Sequence, residues 1–262
     1  MSKLIIATIQ TNLHWENPTA NLDMFTQKIA AINQPIDVIV LPETFTTGFS
    51  MNTSLAEKPD GITMQWMQQM AKQYNTAICG SIMMNTKYND IYNRFIWMNP
   101  NGTYHAYNKH HLFSIGKEHN HYKAGNELVI VQYKGFAIRL LVCYDLRFPV
   151  WARRTETCDY DALFIVANWP ERRAEHWKIL LQARAIENQC YVVAVNRVGE
   201  DGNQVNHSGN SSMIDPLGNI VYQKAMIEDT AIHIINKEII NQYRIDFPVT
   251  ADADLFTMQL KP

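Results

Sequence analysis

Unbroken apolar runs dominate the hydropathy pattern of the chain. Residues 4–9, 37–41 and 138–142, the last interrupted only by Arg139, read as buried strands, because a strand with one wet face alternates apolar and polar positions. Further strands are predicted over 76–84, 94–98, 162–167, 191–195 and 231–235. Turn chemistry pairs several of them. Asn99-Pro100-Asn101-Gly102 lets 103–107 return on 94–98, Lys134-Gly135 joins 129–133 to 136–142, and Pro216-Leu217-Gly218-Asn219 joins 212–215 to 220–224. Helical spacing appears in Leu22, Phe25, Ile29 and Ile32 behind an Asn17-Pro18 start signal, and again in Met64, Met67, Met70 and Ala71. Those methionines read as core packing rather than a metal or redox cluster. A long helix is predicted over 171–188, with Trp177, Leu181 and Ala185 on one face, and a short one over 237–243. Pro149 is placed to open another.

Strands alternate with helices in the first third and again over 143–196, while hairpins occupy the middle and the end. That order predicts an α/β fold with mixed strand directions and helices outside. No linker rich in Pro, Gly or Ser divides the 262 residues, so the expectation is a single domain spanning 1–262. Apolar residues make up 47%, enough for a full core, and 23 basic against 25 acidic side chains leave no electrostatic footprint for nucleic acid or an anionic membrane. No apolar run nears the roughly 18 residues of a membrane span, and the N-terminus enters a strand without the pattern of a cleavable leader. Cys79, Cys143, Cys158 and Cys190 show no paired short spacing. This argues against a disulfide framework or a zinc knuckle and suggests a reducing cytoplasm.

Three reactive side chains sit at or just past the ends of apolar segments: Glu43, Lys109 and Cys143. A thiol that attacks an amide needs help, since only a few per cent is thiolate at neutral pH. A carboxylate can take its proton, and an ammonium can stabilise first the thiolate and then the oxyanion of the tetrahedral intermediate. Each residue also has a plainer reading. A free cysteine is most often a small buried hydrophobe, a glutamate after Leu-Pro can cap a helix, and a lysine beside Asn108 and His110 is usually solvated. From the residues alone this trio is one of many that could be drawn.

Leu41-Pro42-Glu43, Tyr107-Asn108-Lys109-His110-His111-Leu112 and Cys143-Tyr144-Asp145-Leu146-Arg147-Phe148-Pro149 together resemble the three signature regions of the nitrilase (carbon–nitrogen hydrolase) superfamily, in the right order. The resemblance implies a four-layer α-β-β-α sandwich with Glu43 as general base, Lys109 as oxyanion-stabilising cation and Cys143 as nucleophile. It also implies Glu118 as an additional active-site glutamate, the Tyr144 backbone N–H as an oxyanion donor, and no metal or organic cofactor. The stretches 44–50, 167–170 and 196–199 look like the bacterial omega-amidase branch, which hydrolyses the distal amide of 2-oxoglutaramate and similar small-molecule omega-amides. Amidases for deaminated glutathione or N-carbamoyl compounds share the machinery, and a non-catalytic protein on the same fold is the alternative from another class.

Binding such a substrate requires a cation for its far carboxylate. Arg147, Arg172, Arg173 and Arg197 are candidates, with a structural salt bridge favoured for Arg147. Asn168, Trp169 and Phe45 are candidate pocket residues. His105, His110, His111, His119 and His121 crowd one region, but without zinc-like ligand spacing, and adjacent His110 and His111 are expected to point apart. Arg184 and Glu187, three apart on one helix face, should form a structural pair rather than touch substrate. Family members associate as dimers, so a homodimer is expected. Its contacts would involve residues 149–154 and a C-terminal segment, about 236–262, bearing Phe247 and Phe256.

Overall fold

The computed structural model describes residues 2–86, 88–254 and 256–260; parts of the predicted domain and of its C-terminal segment at 1, 87, 255 and 261–262 lie outside the described residues. Strands β1 (Lys3–Gln10), β2 (Val38–Val40), β3 (Ala77–Asn85), β4 (Ile91–Met98) and β5 (Tyr104–Asn108) build a first sheet. A second contains β6 (Ile130–Tyr133), β7 (Phe136–Val142), β8 (Ala162–Ala167), β9 (Tyr191–Asn196), β10 (Val198–Glu200), β11 (Asn206–Ile214) and β12 (Ile220–Ala225). Strand β13 (Asp229–Asn236) returns to the first sheet beside β1. The orders are β13-β1-β2-β3-β4-β5 and β10-β11-β9-β8-β7-β6, with β12 on β11. Each sheet has a parallel centre, β1-β2-β3 and β7-β8-β9, and antiparallel flanks.

The apolar runs are unbroken because both faces of the central strands are covered. In β1, Leu4 and Ile6 join the core between the sheets, whereas Ala7 and Ile9 pack outward with Leu22, Phe25 and Met67. Those outer residues belong to helices α1 (Pro18–Ala30) and α2 (Ile62–Tyr74), which cover the first sheet. Asn17 Oδ1 caps α1 by accepting from Ala20 N at 3.1 Å. Helix α3 (Pro149–Ala152) follows the β7 loop, and α4 (Ala174–Asn188) lays Trp177, Leu181 and Ala185 on the second sheet. Helix α5 (Lys237–Asp246) anchors through Ile240. The result is the expected α-β-β-α sandwich.

Three differences from the sequence reading have physical causes. The long helix over 171–188 begins with a 3₁₀ turn at Glu171–Arg173, and the α-helix starts only at Ala174. Strand β11 begins at Asn206, well before the predicted 212, and β10 was not predicted. Residues 207–212 are buried although mostly polar, so hydropathy hides the strand. Their polar groups are satisfied inside: Ser211 N donates to Gln10 Oε1 at 3.0 Å, and Asn196 Nδ2 donates to Gly209 O at 2.8 Å. Finally, His110 and His111 do not point apart. Their rings meet edge to face at 4.4 Å, and each stacks on an aromatic, His110 on Trp151 and His111 on Phe148. Arg184 and Glu187 pair at 2.9 Å, as expected.

Candidate active site

The three candidates come from both sheets and meet at the seam between them. Glu43 lies just past β2, in a turn pinned to β3: Leu41 N donates to Cys79 O at 2.7 Å, Thr44 N to Ser81 Oγ at 2.8 Å, and Phe45 N to Ser81 O at 3.1 Å. Lys109 follows β5, its N–H donating to Asn93 O at 2.9 Å and its carbonyl accepting from Gly125 N at 2.9 Å. Gly125 is required there, since a Cβ would stand 2.3 Å from Asn108 O. Cys143 ends β7 and opens a 3₁₀ turn, Cys143–Arg147, with φ +46°. That left-handed conformation is uncommon for a side-chain-bearing residue and concentrates at functional turns.

Lys109 Nζ donates to Glu43 Oε1 and to Glu118 Oε1, both at 3.0 Å, and all three side chains are fully buried. Glu43 is held on every side: Asn93 Nδ2 donates to Oε1 at 2.8 Å and Asn168 N to Oε2 at 2.6 Å. The second oxygen of Glu118 accepts from Phe113 N at 2.6 Å. The Cys143 thiol stands close enough to Glu43 for that carboxylate to raise its pKa. Sequence reasoning thus named four side chains that the fold does bring together.

Protonation follows from burial. Desolvation alone would pull the Lys109 ammonium down, but the carboxylates of Glu118 and Glu43 outweigh it and hold its pKa well above the ordinary value. Burial raises Glu118, with Glu43 adding to the shift and Lys109 opposing it. Burial also drives the Cys143 thiol well up, reinforced by Glu43 and only partly countered by Lys109. The resting sulfur is therefore a neutral thiol, and the ammonium alone does not make it a thiolate. Tyr144 is the second residue of the 3₁₀ turn, so its N–H has no acceptor within that turn and is available to an incoming oxygen.

Cys143 and Lys109 open onto a cavity of about 340 Å³; Glu43 and Glu118 sit behind it. Phe49, Phe113, Tyr144 and Trp169 form its aromatic walls, and Arg147, Arg172 and Arg173 its cationic side. Arg147 differs from the salt bridge favoured for it. No carboxylate among the described residues pairs with it, and it stacks over Trp169 at 4.6 Å while touching His176 Nδ1 at 3.1 Å. Arg173 lies over Phe113 at 5.2 Å. Arg197 is excluded as a cavity cation. It is fully buried, donates to Asn12 Oδ1 at 2.7 Å and to the Glu200 carbonyl at 3.1 Å, and burial lowers its pKa to about 10.

Phe45 is also corrected. It is fully buried in the outer core of the first sheet, edge-on to Phe25 at 5.5 Å and packed against Gly80, while Phe49 faces the cavity. Asn168 lines the cavity, but its visible work is structural: Nδ2 donates to Glu43 O at 2.7 Å and to Thr44 Oγ1 at 3.1 Å. Asn93 and Phe113 were missed, and nothing in their local sequence marks them. Phe49 belongs to the stretch 44–50 that looks like the omega-amidase branch, and that resemblance is the signal that marks it. Among the described residues no group of three or more His, Cys, Asp or Glu could hold a metal ion.

Comparison with known proteins agrees with this geometry. The family model described as carbon-nitrogen hydrolase matches residues 5–245. The omega-amidase YafV of Escherichia coli (strain K12) is 44% identical over 259 residues, covering 98% of this chain and 100% of that protein. The 2-oxoglutaramate amidase of Bacillus subtilis (strain 168) is 33% identical over 253 residues, covering 95% and 97%. The crystal structure of XC1258 from Xanthomonas campestris, a CN-hydrolase superfamily protein with an arsenic adduct in its active site, is 40% identical with a TM-score of 0.96, covering 99% and 100%. With the two-sheet sandwich, the buried Glu-Lys-Glu cluster beside a cysteine turn and these matches over nearly its full length, the chain belongs to the carbon–nitrogen hydrolase family.

Proposed function

We propose that the chain is an omega-amidase that hydrolyses the terminal amide of short, carboxylate-bearing substrates such as 2-oxoglutaramate, releasing the dicarboxylate and ammonia. One observation carries the reading: a single cavity joins Cys143 and Lys109 to a cationic side made by Arg147, Arg172 and Arg173. Among the described residues, the only carboxylate on its lining is Asp201. Such a site suits an amide at one end and an anion at the other. The names carried by the Escherichia coli and Bacillus subtilis relatives support the same substrate class.

In the proposed mechanism Glu43 accepts the thiol proton of Cys143 as the sulfur bonds to the amide carbon. The C=O electron pair moves to oxygen, where Lys109 Nζ and the Tyr144 N–H hold it. Protonated Glu43 gives its proton to the nitrogen, the C–N bond breaks, and ammonia leaves a thioester on Cys143. Glu43 then deprotonates water, which attacks the thioester; the thiolate departs and recovers the proton. Glu118 holds the Lys109 ammonium toward the cavity from behind. The neutral resting thiol makes Glu43 a participant in the attack itself rather than a bystander to a preformed thiolate.

A cytoplasmic homodimer is part of the proposal. None of the four cysteines is disulfide-bonded, and no helix among the described residues is long and apolar enough to cross a membrane. Val150 on α3 and Ile179 and Ile186 on α4 are half or more exposed, which suits a partner on that face.

Ammonia release from 2-oxoglutaramate, succinamate, deaminated glutathione, an N-carbamoyl amine and the neutral butyramide tests the reading. The expected result is fast turnover of the first two and at least a tenfold lower kcat/KM on butyramide. Equal turnover of butyramide, or a Cys143→Ala variant that releases ammonia at the parent rate, would refute it.

A further inference from the structure

Directly behind the nucleophile lies a buried carboxylate that the mechanism above does not use. Asp145 is two residues past Cys143 and fully buried. It accepts four hydrogen bonds. Val142 N donates to Oδ2 at 3.0 Å and Tyr107 Oη to Oδ2 at 2.7 Å, while the His111 N–H donates to Oδ1 at 2.9 Å and His111 Nδ1 meets the same oxygen at 2.9 Å. Its own carbonyl accepts from Phe148 N at 3.0 Å. The donors come from two places. Val142 and Phe148 bracket the cysteine turn of the second sheet, whereas Tyr107 and His111 flank Lys109 at the end of β5 in the first.

We propose that Asp145 is a positioning residue: it clamps the turn that carries Cys143 to the segment that carries Lys109, and so sets the distance between nucleophile and oxyanion cation across the two sheets. The proposal rests on the roles given to Cys143 and Lys109 above.

Three features make the clamp stiff. Oδ2 is gripped from opposite sides, by Val142 N of the second sheet and Tyr107 Oη of the first, and Oδ1 is held twice by His111, so neither side can shift alone without stranding a buried partner. Tyr107 Oη in turn accepts from Trp151 Nε1 at 2.9 Å and from His110 N at 3.2 Å, which brings α3 and the residue next to Lys109 into the same network. Burial pushes the Asp145 carboxyl up, but the hydrogen bond and charge of His111 and the hydroxyl of Tyr107 outweigh it, so the group stays ionised well into acid. The positive φ of Cys143 needs such support, because a left-handed residue persists only where its surroundings over-determine it. Catalytic groups misplaced by about 1 Å lose on the order of 10²-fold in rate.

The test is Asp145→Asn in the full-length protein. The amide keeps the shape but turns one acceptor oxygen into a donor, so one side of the clamp meets an N–H where it offers an N–H or O–H. Turnover of 2-oxoglutaramate and butyramide is measured per reactive thiol, with intact sites counted by mass spectrometry of iodoacetamide-labelled Cys143. The expected result is a kcat per labelled site at least tenfold lower on both substrates, with KM within threefold of the parent. A role in stability alone would lower Tm and leave kcat per labelled site unchanged, and that outcome overturns the proposal. If Asp145→Asn does not fold, Tyr107→Phe and His111→Phe each remove one donor, the latter keeping the stack on Phe148. Parent kcat per site in both would overturn the clamp equally. These outcomes are separate from the catalytic assignment, which only turnover by Cys143→Ala would sink.

Discussion

Replacing Lys109 by methionine removes the one positive charge between two buried carboxylates. The ammonium lies 3.0 Å from both Glu43 Oε1 and Glu118 Oε1, and no water-exposed surface remains on any of the three side chains. Removing one partner from a buried ion pair costs about 3–5 kcal/mol, because the remaining charge is left uncompensated. For a domain of this size that corresponds to a fall in Tm of about 6–20 °C at pH 8. The pH dependence gives the sharper signature. Glu118 already has a raised pKa in the folded protein, and without Lys109 its main counterweight is gone. A carboxyl whose folded pKa exceeds its unfolded value binds more protons folded than unfolded. Stability is then greatest at low pH and is lost as pH rises through the interval between the two values, by up to about 1.4 kcal/mol per pH unit for each such proton. Thermal unfolding of Lys109→Met and parent from pH 5 to pH 8 should therefore show the two curves diverging as pH rises. Turnover should fall by at least 10²–10³, the scale for loss of an oxyanion donor. Equal Tm at pH 8, or a gap that narrows with rising pH, would refute the buried-cluster argument.

Other substitutions separate the cavity from its support. Phe45→Ala should cost about 3–5 kcal/mol in denaturant unfolding and leave KM near the parent value; a raised KM with parent stability would return Phe45 to the cavity. Arg173→Ala should raise KM for succinamate at least tenfold and leave butyramide within threefold, whereas Arg197→Ala should lower Tm and leave the ratio of the two substrates unchanged. Because burial and Glu43 raise the Cys143 pKa, its alkylation by iodoacetamide should climb about tenfold per pH unit from pH 7 to pH 9. A rate already level at pH 7 would mean a preformed thiolate and a different role for Glu43.

Hydropathy revealed the strands and helices wherever burial is apolar and hid them wherever burial is polar; their stacking as a four-layer sandwich was implied by the family resemblance. The runs at 4–9, 37–41 and 138–142 became β1, β2 and β7 because both their faces are covered. The first half of β11 escaped because Ser208, Asn210 and Ser211 are buried with their polar atoms engaged. The site divides along the same line. Glu43, Lys109 and Cys143 were visible as reactive side chains at strand ends, but strand ends do not say which sheet each strand joins. Here Glu43 and Lys109 end strands of one sheet and Cys143 ends a strand of the other.

That division bears on how the site is held. Two sheets packed through apolar side chains can slide by fractions of an ångström without losing much burial, since the hydrophobic effect is non-directional. The proposed nucleophile and cation, on opposite sheets, therefore need directional bonds to fix their spacing, and the structure supplies them from Asn168, which the sequence suggests only as a pocket residue, and from Asp145, which it does not single out. Asn168, from β8's end in the second sheet, grips Glu43 by its backbone and side chain, and Asp145 reaches from the second sheet to Tyr107 and His111 of the first. Neither is expected to touch the reacting atoms in the mechanism above. A search for reactive residue types therefore finds the chemistry and passes over the residues that keep it in register.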